Sequence, residues 1–210
     1  TAEDEAALFD IMQNWPRQKG KRYTRNHAAR SLDMCVQNNE RFCLPLPKDH
    51  QYLYNNFWEV DGQPVAFNRI KVWWQPVELN GAPLSEPKLW VEVLMECVRA
   101  DMQRKGIYTE LSALGVQWIF NVLGADAFFG EPFAESPGAL GRARRAKNKI
   151  TDGAAPGKRT GLKRVRVHVT RDDWETIQHI EPYSTTPLNI VLDDFDREPV
   201  ELITGEVLPQ

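Results

Sequence analysis

Residues 98–111 run Val98-Arg99-Ala100-Asp101-Met102-Gln103-Arg104-Lys105-Gly106-Ile107-Tyr108-Thr109-Glu110-Leu111. They follow a stretch rich in β-formers and lead into residues with apolar positions at helical spacing, Ile107, Leu111, Leu114, Trp118 and Val122. The junction predicts a strand, a short turn containing Gly106, and a helix start. Amides at a helix start have no partner within the helix, carry partial positive charge and hold anions such as phosphate.

The flanking sequence fits such a unit. Upstream, residues 52–60 and 65–74 are β-rich runs separated by Asp61-Gly62-Gln63-Pro64, a turn signal. A second hairpin turn is expected at Asn80-Gly81, inside an insertion over residues 75–87. Residues 89–98 read as a strand with Leu89, Val91, Val93, Met95 and Cys97 on one face. Trp90, Glu92, Leu94, Glu96 and Val98 then point the other way. Before these runs, helices are expected over residues 2–15, with Thr1 and Asp4 as a capping box, and over residues 24–38. An extended piece follows at residues 42–46.

Downstream, the helix from Gly106 should stop at Gly124. A short strand over residues 125–130, a basic helix over residues 136–150, a mobile loop over residues 151–161 and a strand over residues 162–169 come next. Thr170 and Asp173 then cap a short helix holding Trp174 and Ile177. From Pro182 the chain is acidic and Pro-punctuated, with a β-like run at residues 188–192.

Gln103-Arg104-Lys105-Gly106-Ile107-Tyr108 resembles the pyrophosphate loop of the GNAT superfamily of acyl-CoA-dependent N-acetyltransferases, whose pattern is Gln/Arg-x-x-Gly-x-Gly/Ala. Tyr108 departs from it, standing where the family has a small residue. The element order over about residues 2–170 is similar to the family's fold. The hairpin Phe57-Trp58-Glu59-Val60-Asp61-Gly62-Gln63-Pro64-Val65-Ala66-Phe67 looks like its second and third strands. The resemblance implies an α/β (mixed α+β) class: a central mixed sheet flanked by helices, with splayed fourth and fifth strands. It implies one domain over residues 1–181, with an acidic extension over residues 182–210 packed on or beside it. It also implies acetyl-CoA as co-substrate. The phosphates would then lie against Gln103, Arg104, Lys105, Gly106, Ile107, Tyr108 and Thr109, and the pantetheine arm would pair with the backbone near Val98 and Ala100.

Amine acylation needs a base, because a protonated amine cannot attack a thioester. Glu92 stands eleven residues before Gln103. That position is similar to a strand-four glutamate serving as base in some GNAT enzymes. Glu96 is its substitute, and on a regular strand the two carboxylates share a face and raise each other's pKa. The family often takes its general acid from a Tyr on the helix after strand five. Residues 136–148 hold no Tyr, which leaves Tyr108 as the candidate acid.

The charge is uneven. Residues 142–168 carry ten Lys/Arg against one acid, and residues 171–210 carry ten acids against two Arg. This pattern is either two faces that attract each other or a polyanion site, for nucleic acid or the 3′-phosphate of CoA, beside a shielding tail. No aromatic residue stands between Phe133 and Trp174 to stack a base. Cys35, Cys43 and Cys97 lack metal or disulfide spacing and read as reduced thiols of a cytoplasmic protein, with no metal site expected. No apolar run reaches membrane-spanning length. The acidic Glu3, Asp4 and Glu5 do not form the basic start of a signal peptide. Three functions fit: an N-acetyltransferase acting on a small-molecule or protein amine, a catalytically inactive GNAT-fold component of an assembly, and an acyltransferase for a nucleobase or other polyanion-borne amine. The sequence carries no sign of oligomeric state.

Overall fold

The computed structural model describes residues 2–13, 28, 48, 51–77, 81–152, 156 and 161–186. The elements are α1 (Ala2–Met12), β1 (Gln51–Val60), β2 (Gln63–Val77), β3 (Pro83–Val98), a 3-10 turn (Ala100–Met102), α2 (Ile107–Asn121), β4 (Ala127–Gly130), α3 (Pro137–Arg145), β5 (Lys149–Thr151), β6 (Arg166–Thr170) and α4 (Arg171–Ile177). The capping box at Thr1, the helix expected over residues 24–38, the extended piece over residues 42–46 and the run at residues 188–192 lie outside the described residues, apart from Ala28.

Six strands form one mixed sheet in the order β1-β2-β3-β4-β6-β5. Only β3 and β4 pair in parallel among these neighbours, joined by the α2 crossover. The β1–β2 hairpin closes on Asp61 (φ 51°) and Gly62 (φ 71°), two left-handed residues of the kind whose twist matches a tight hairpin. The residues expected to form an insertion instead lengthen the next two strands. β2 runs on to Val77, β3 begins at Pro83, and the two face each other.

Three helices cover one face of the sheet and α1 covers the other. Val72, Leu89 and Val91 meet Val116, Ile119 and Phe120 of α2 and Trp174 of α4. Leu140 and Ala143 of α3 pack on Val165 and Val167. On the opposite face Leu8, Ile11 and Met12 of α1 close over Phe67. α2 rests on a different stripe from the one its sequence suggests. Ser112, Ala113, Val116, Gln117, Ile119 and Phe120 are buried, whereas Ile107, Leu111, Leu114, Trp118 and Val122 are half-buried. The polar Ser112 and Gln117 are admitted because each finds a partner, Arg142 and the Thr186 carbonyl respectively.

One further expectation changes. The basic helix ends at Arg145, not near residue 150. Lys147 turns the chain with φ 58°, and residues 149–151 form edge strand β5 on β6. The first residues of the acidic extension pack on this body. Tyr183 is buried edge-on against Trp174, and its hydroxyl donates to Asn148 Oδ1 at 3.0 Å.

Thr170 and Asp173 form the expected reciprocal capping box, which starts α4 and aims Trp174 inward. Trp174 lies flat on Phe120 with ring centroids 5.3 Å apart. Trp174→Ala is expected to lower unfolding free energy by about 3–5 kcal/mol in a urea titration, because neither neighbour can refill the space.

Candidate active site

β3 does not keep its alternation. Ile70 pairs with Val93 and Arg69 with Met95, so Leu94 is an extra residue, a β-bulge. Before the bulge, Leu89 and Val91 face α2, and Trp90 and Glu92 face the other side. After it, Met95 and Cys97 face α1, and Glu96 and Val98 turn toward α2. The expectation that Glu92 and Glu96 share a face is therefore wrong. The inserted residue reverses the pleat between them, so the two carboxylates leave opposite faces of the sheet.

The bulge coincides with the parting of two strands. β4 follows β3 only as far as the Val93–Gly130 pair. Beyond it, Glu131, Pro132 and Phe133 diverge from Leu94, Met95 and Glu96, and all six line a cavity of about 850 Å³. The Arg99 N–H donates to the Val65 carbonyl at 2.8 Å. By strand alternation the backbone groups of Cys97 then face β2, and those of Glu96 and Val98 face the cleft.

The cleft leads to the bend before α2. Arg104 (φ 63°) and Gly106 (φ 84°) are both left-handed, and this turns successive amides in one direction, the geometry of an anion nest. Of the residues expected at a coenzyme, Val98, Gln103, Arg104, Gly106, Tyr108 and Thr109 line the cavity; Ala100, Lys105 and Ile107 are not among its wall. Several have partners within the chain. Ala100 lies in the 3-10 turn, and its carbonyl accepts the Gln103 N–H at 3.4 Å. The Gln103 side-chain amide donates back to the Val98 carbonyl at 3.1 Å. The Thr109 N–H donates to the Gly106 carbonyl at 2.8 Å. Lys105 Nζ lies 3.5 Å from Met102 Sδ, and Ile107 packs beside Val98.

Four polar side chains meet where α2 and α3 approach the cleft. Arg142 of α3 donates to the Ser112 hydroxyl and, at 3.2 Å, to the Tyr108 hydroxyl, and it stands 3.7 Å from the Glu96 carboxylate. Its guanidinium also lies over the Tyr108 ring, 4.6 Å from the centroid. Burial, reinforced by the Glu96 charge, pushes the Tyr108 pKa well above the usual phenol range, so the hydroxyl keeps its proton at neutral pH. The same causes push the Cys97 thiol up to about 12. Sequence reading missed Ser112 and the burial of Arg142. A detectable signal was the run of Gly138, Ala139 and Gly141 just before it, small residues that let α3 come close.

Glu92 sits apart, on the α1 face, opposite Lys71 across β2 and beside the interlocked Trp90 and Phe129 rings. It is half-buried, and burial together with nearby Glu131 raises its pKa above the ordinary carboxylate value. It is not among the residues lining the cavity, although its neighbour Val93 and Glu131 are.

Much of the basic zone is neutralised within the chain. Arg164 and Arg166 both bind Glu131, Lys149 binds Asp173, and Lys163 binds Asp152. Of these pairs, Lys149–Asp173 alone joins the basic zone to the acidic one, since Glu131 and Asp152 lie outside residues 171–210. Among the described residues no cluster of three or more His, Cys, Asp or Glu is placed to hold a metal, and no helix is long and apolar enough to cross a membrane.

No protein-family model and no curated protein sequence matches the chain. Solved structures do. Aminoglycoside acetyltransferase AAC(6')-Ib, in complex with coenzyme A, aligns with a TM-score of 0.59 at 16% identity, over 85% of this chain and 95% of that one. Arabidopsis thaliana NAA60, in complex with a bisubstrate analogue, gives 0.53 at 13%, over 80% and 94%. The NatC complex bound to Gag peptide and CoA gives 0.52 at 11%, over 81% and 92%. The architecture is the GNAT fold.

Gly106 owes its identity to backbone conformation, because a Cβ built there meets nothing within 4 Å. Gly106→Ala is expected to cost about 1–2 kcal/mol of stability in chemical denaturation, and Gly106→Asn less, since Asn tolerates the left-handed region.

Proposed function

We propose that this chain, built on the GNAT fold, is an acyl-CoA-dependent N-acyltransferase that passes an acyl group, acetyl in the simplest case, directly to a primary amine on a small molecule or protein. The observation that carries this reading is the parting of β3 from β4 beyond the Val93–Gly130 pair. It opens a cavity that runs from a left-handed bend at a helix start, past strand backbone released from β4, to Glu96, Tyr108 and Arg142, with half-buried Glu92 next to the lining residue Val93. The comparisons support it, since the fold is shared with acetyltransferases, two of them holding coenzyme A.

The residues fit such a co-substrate. Amides of the Arg104–Gly106 bend and the start of α2 would hold the diphosphate, with Arg104 adding charge. The cleft-facing backbone of Glu96 and Val98 would pair with the amides of the pantetheine arm. When bound, the coenzyme supplies the thioester that is attacked.

Glu92 is assigned as the base. Its raised pKa suits it to accept a proton, and the alternative, Glu96, stands against Arg142. The amine therefore arrives from the α1 face, gives its ammonium proton to Glu92, and loses its second proton to solvent once the carbon–nitrogen bond has formed. As nitrogen bonds to the carbonyl carbon and the carbon–sulfur bond breaks, Tyr108 gives its phenol proton to the departing thiolate sulfur. Arg142 steadies the phenolate left behind, and solvent restores both groups.

Isothermal calorimetry with coenzyme A tests binding, and an absence of heat would remove the proposal. Glu92→Gln should leave that binding unchanged and lower kcat about a hundredfold. Catalysis requires ionised Glu92, whose pKa lies above the ordinary 4.5. The rate should therefore rise with pH across an acid limb displaced upward from the usual carboxylate range, and the limb should vanish in the variant. Tyr108→Phe should lower kcat at unchanged KM, by about tenfold or more.

A further inference from the structure

The α1 face of the sheet holds two opposite charges side by side that do not bind each other. Lys71 of β2 and Glu92 of β3 are directly opposed in the antiparallel ladder, a placement that sets Cβ atoms about 4.5–5.5 Å apart. Both side chains are half-buried. Opposite charges so placed ordinarily pair across the strands. Here neither is in an ion pair among the described residues. The Lys71 ammonium instead leans along its strand and lies 4.6 Å from the centre of the Trp73 ring. Glu92 feels it as a nearby positive charge, which pulls the carboxyl pKa down against the larger effect of burial.

The surroundings leave both charges available. The other cations near Glu92 are Arg164 and Arg166, and Glu131 holds both. α1 makes its apolar contacts farther along the strands, with Phe67, Met95 and Cys97. The two charges also have a direction. On one side, Glu92 is followed by Val93, the last residue of β3 paired with β4 and part of the cavity wall. On the other, Trp73 and Trp90 form the next cross-strand pair. Because the ammonium leans toward Trp73, the carboxylate stands nearer the strand split and the ammonium farther from it.

We infer that the acceptor is a free α-amino acid, with its ammonium set against Glu92 and its carboxylate against Lys71. This rests on the proposed function above. The two charges of an α-amino acid flank one carbon, which suits an acid and a cation on directly opposed strand positions. The amine then lies toward the split, where the thioester is placed, and the carboxylate points away from it. A simple amine leaves Lys71 unused, and the first residue of a protein carries an amide where this carboxylate would be. Transfer joins the nitrogen to the acyl carbon and breaks the carbon–sulfur bond. The nitrogen's two protons go to Glu92 and to solvent, the sulfur takes one from Tyr108, and the carboxylate is untouched. The N-acyl amino acid has lost the positive charge that matched Glu92, which favours its release.

The test is calorimetry of the full chain saturated with coenzyme A. The titrants are each common L-amino acid, its α-amide and its decarboxylated amine. At least one amino acid should bind about tenfold or more tightly than its amide and its amine, the worth of one charge-assisted contact. Lys71→Gln should remove that preference, and Lys71→Arg should keep it; a melting curve checks that each variant is folded. Equal affinity for amino acid and amide, or a preference for the amine, overturns the zwitterion site and leaves the acyltransferase reading standing. A preference that survives Lys71→Gln overturns the assignment to Lys71. If coenzyme A binds and no amino acid does, the acceptor assignment alone falls. If coenzyme A does not bind, the acyltransferase reading falls and this assignment falls with it.

Discussion

β3 is bonded to β4 through Val93 and released from it immediately afterwards, at the same place where Leu94 is squeezed out of register with β2. A strand edge set free inside a protein is costly unless its N–H and C=O groups find partners. Here the carbonyl of Val98 takes the Gln103 side chain, and the rest of the edge from Glu96 onward faces a cavity. The bulge does a second thing. It reverses the pleat, so one strand presents Glu92 to the α1 face and Glu96 to the α2 face. One inserted residue thus sets the two carboxylates on opposite faces of the sheet.

The side under α2 is organised by Arg142. A guanidinium so poorly exposed needs several acceptors to offset its lost hydration, and it finds Ser112, Tyr108 and Glu96 on two other elements. The result ties α2, α3 and β3 together at the cleft and fixes the Tyr108 hydroxyl. Such a network is favourable only as a whole, since removing one member strands the others. Four other cations of the basic stretch pair with acids, Arg164 and Arg166 with Glu131, Lys149 with Asp173 and Lys163 with Asp152.

The opposite face has a different character. Trp73, Trp90 and Phe129 interlock edge to face, with Lys71 over Trp73 and Arg166 over Phe129. These rings shield Glu92 from water, and nearby Glu131 adds to the cost of its charge. The same packing that stabilises this end of the sheet therefore shifts the protonation of the carboxyl group at its centre.

The strand–bend–helix unit around Gly106, the Asp61-Gly62 hairpin and the capping box at Thr170 were legible in the chain because each is local. Turn residues, caps and β-runs act over a few positions, and their energetics do not depend on distant partners. Three features were not legible. The bulge at Leu94 exists because β2 and β3 must stay paired while β3 leaves β4. The stripe that α2 buries follows from the partners Arg142 and Thr186 offered to Ser112 and Gln117, which came from segments far along the chain. The end of α3 at Arg145 was set by β5 joining the free edge of β6. Local sequence chose the kinds of element and where the left-handed bend before α2 falls. Tertiary structure alone decided which carboxylate faces which side, which arginine is buried and how far the cavity reaches, because these depend on which strand edges remain unpaired once the sheet has formed.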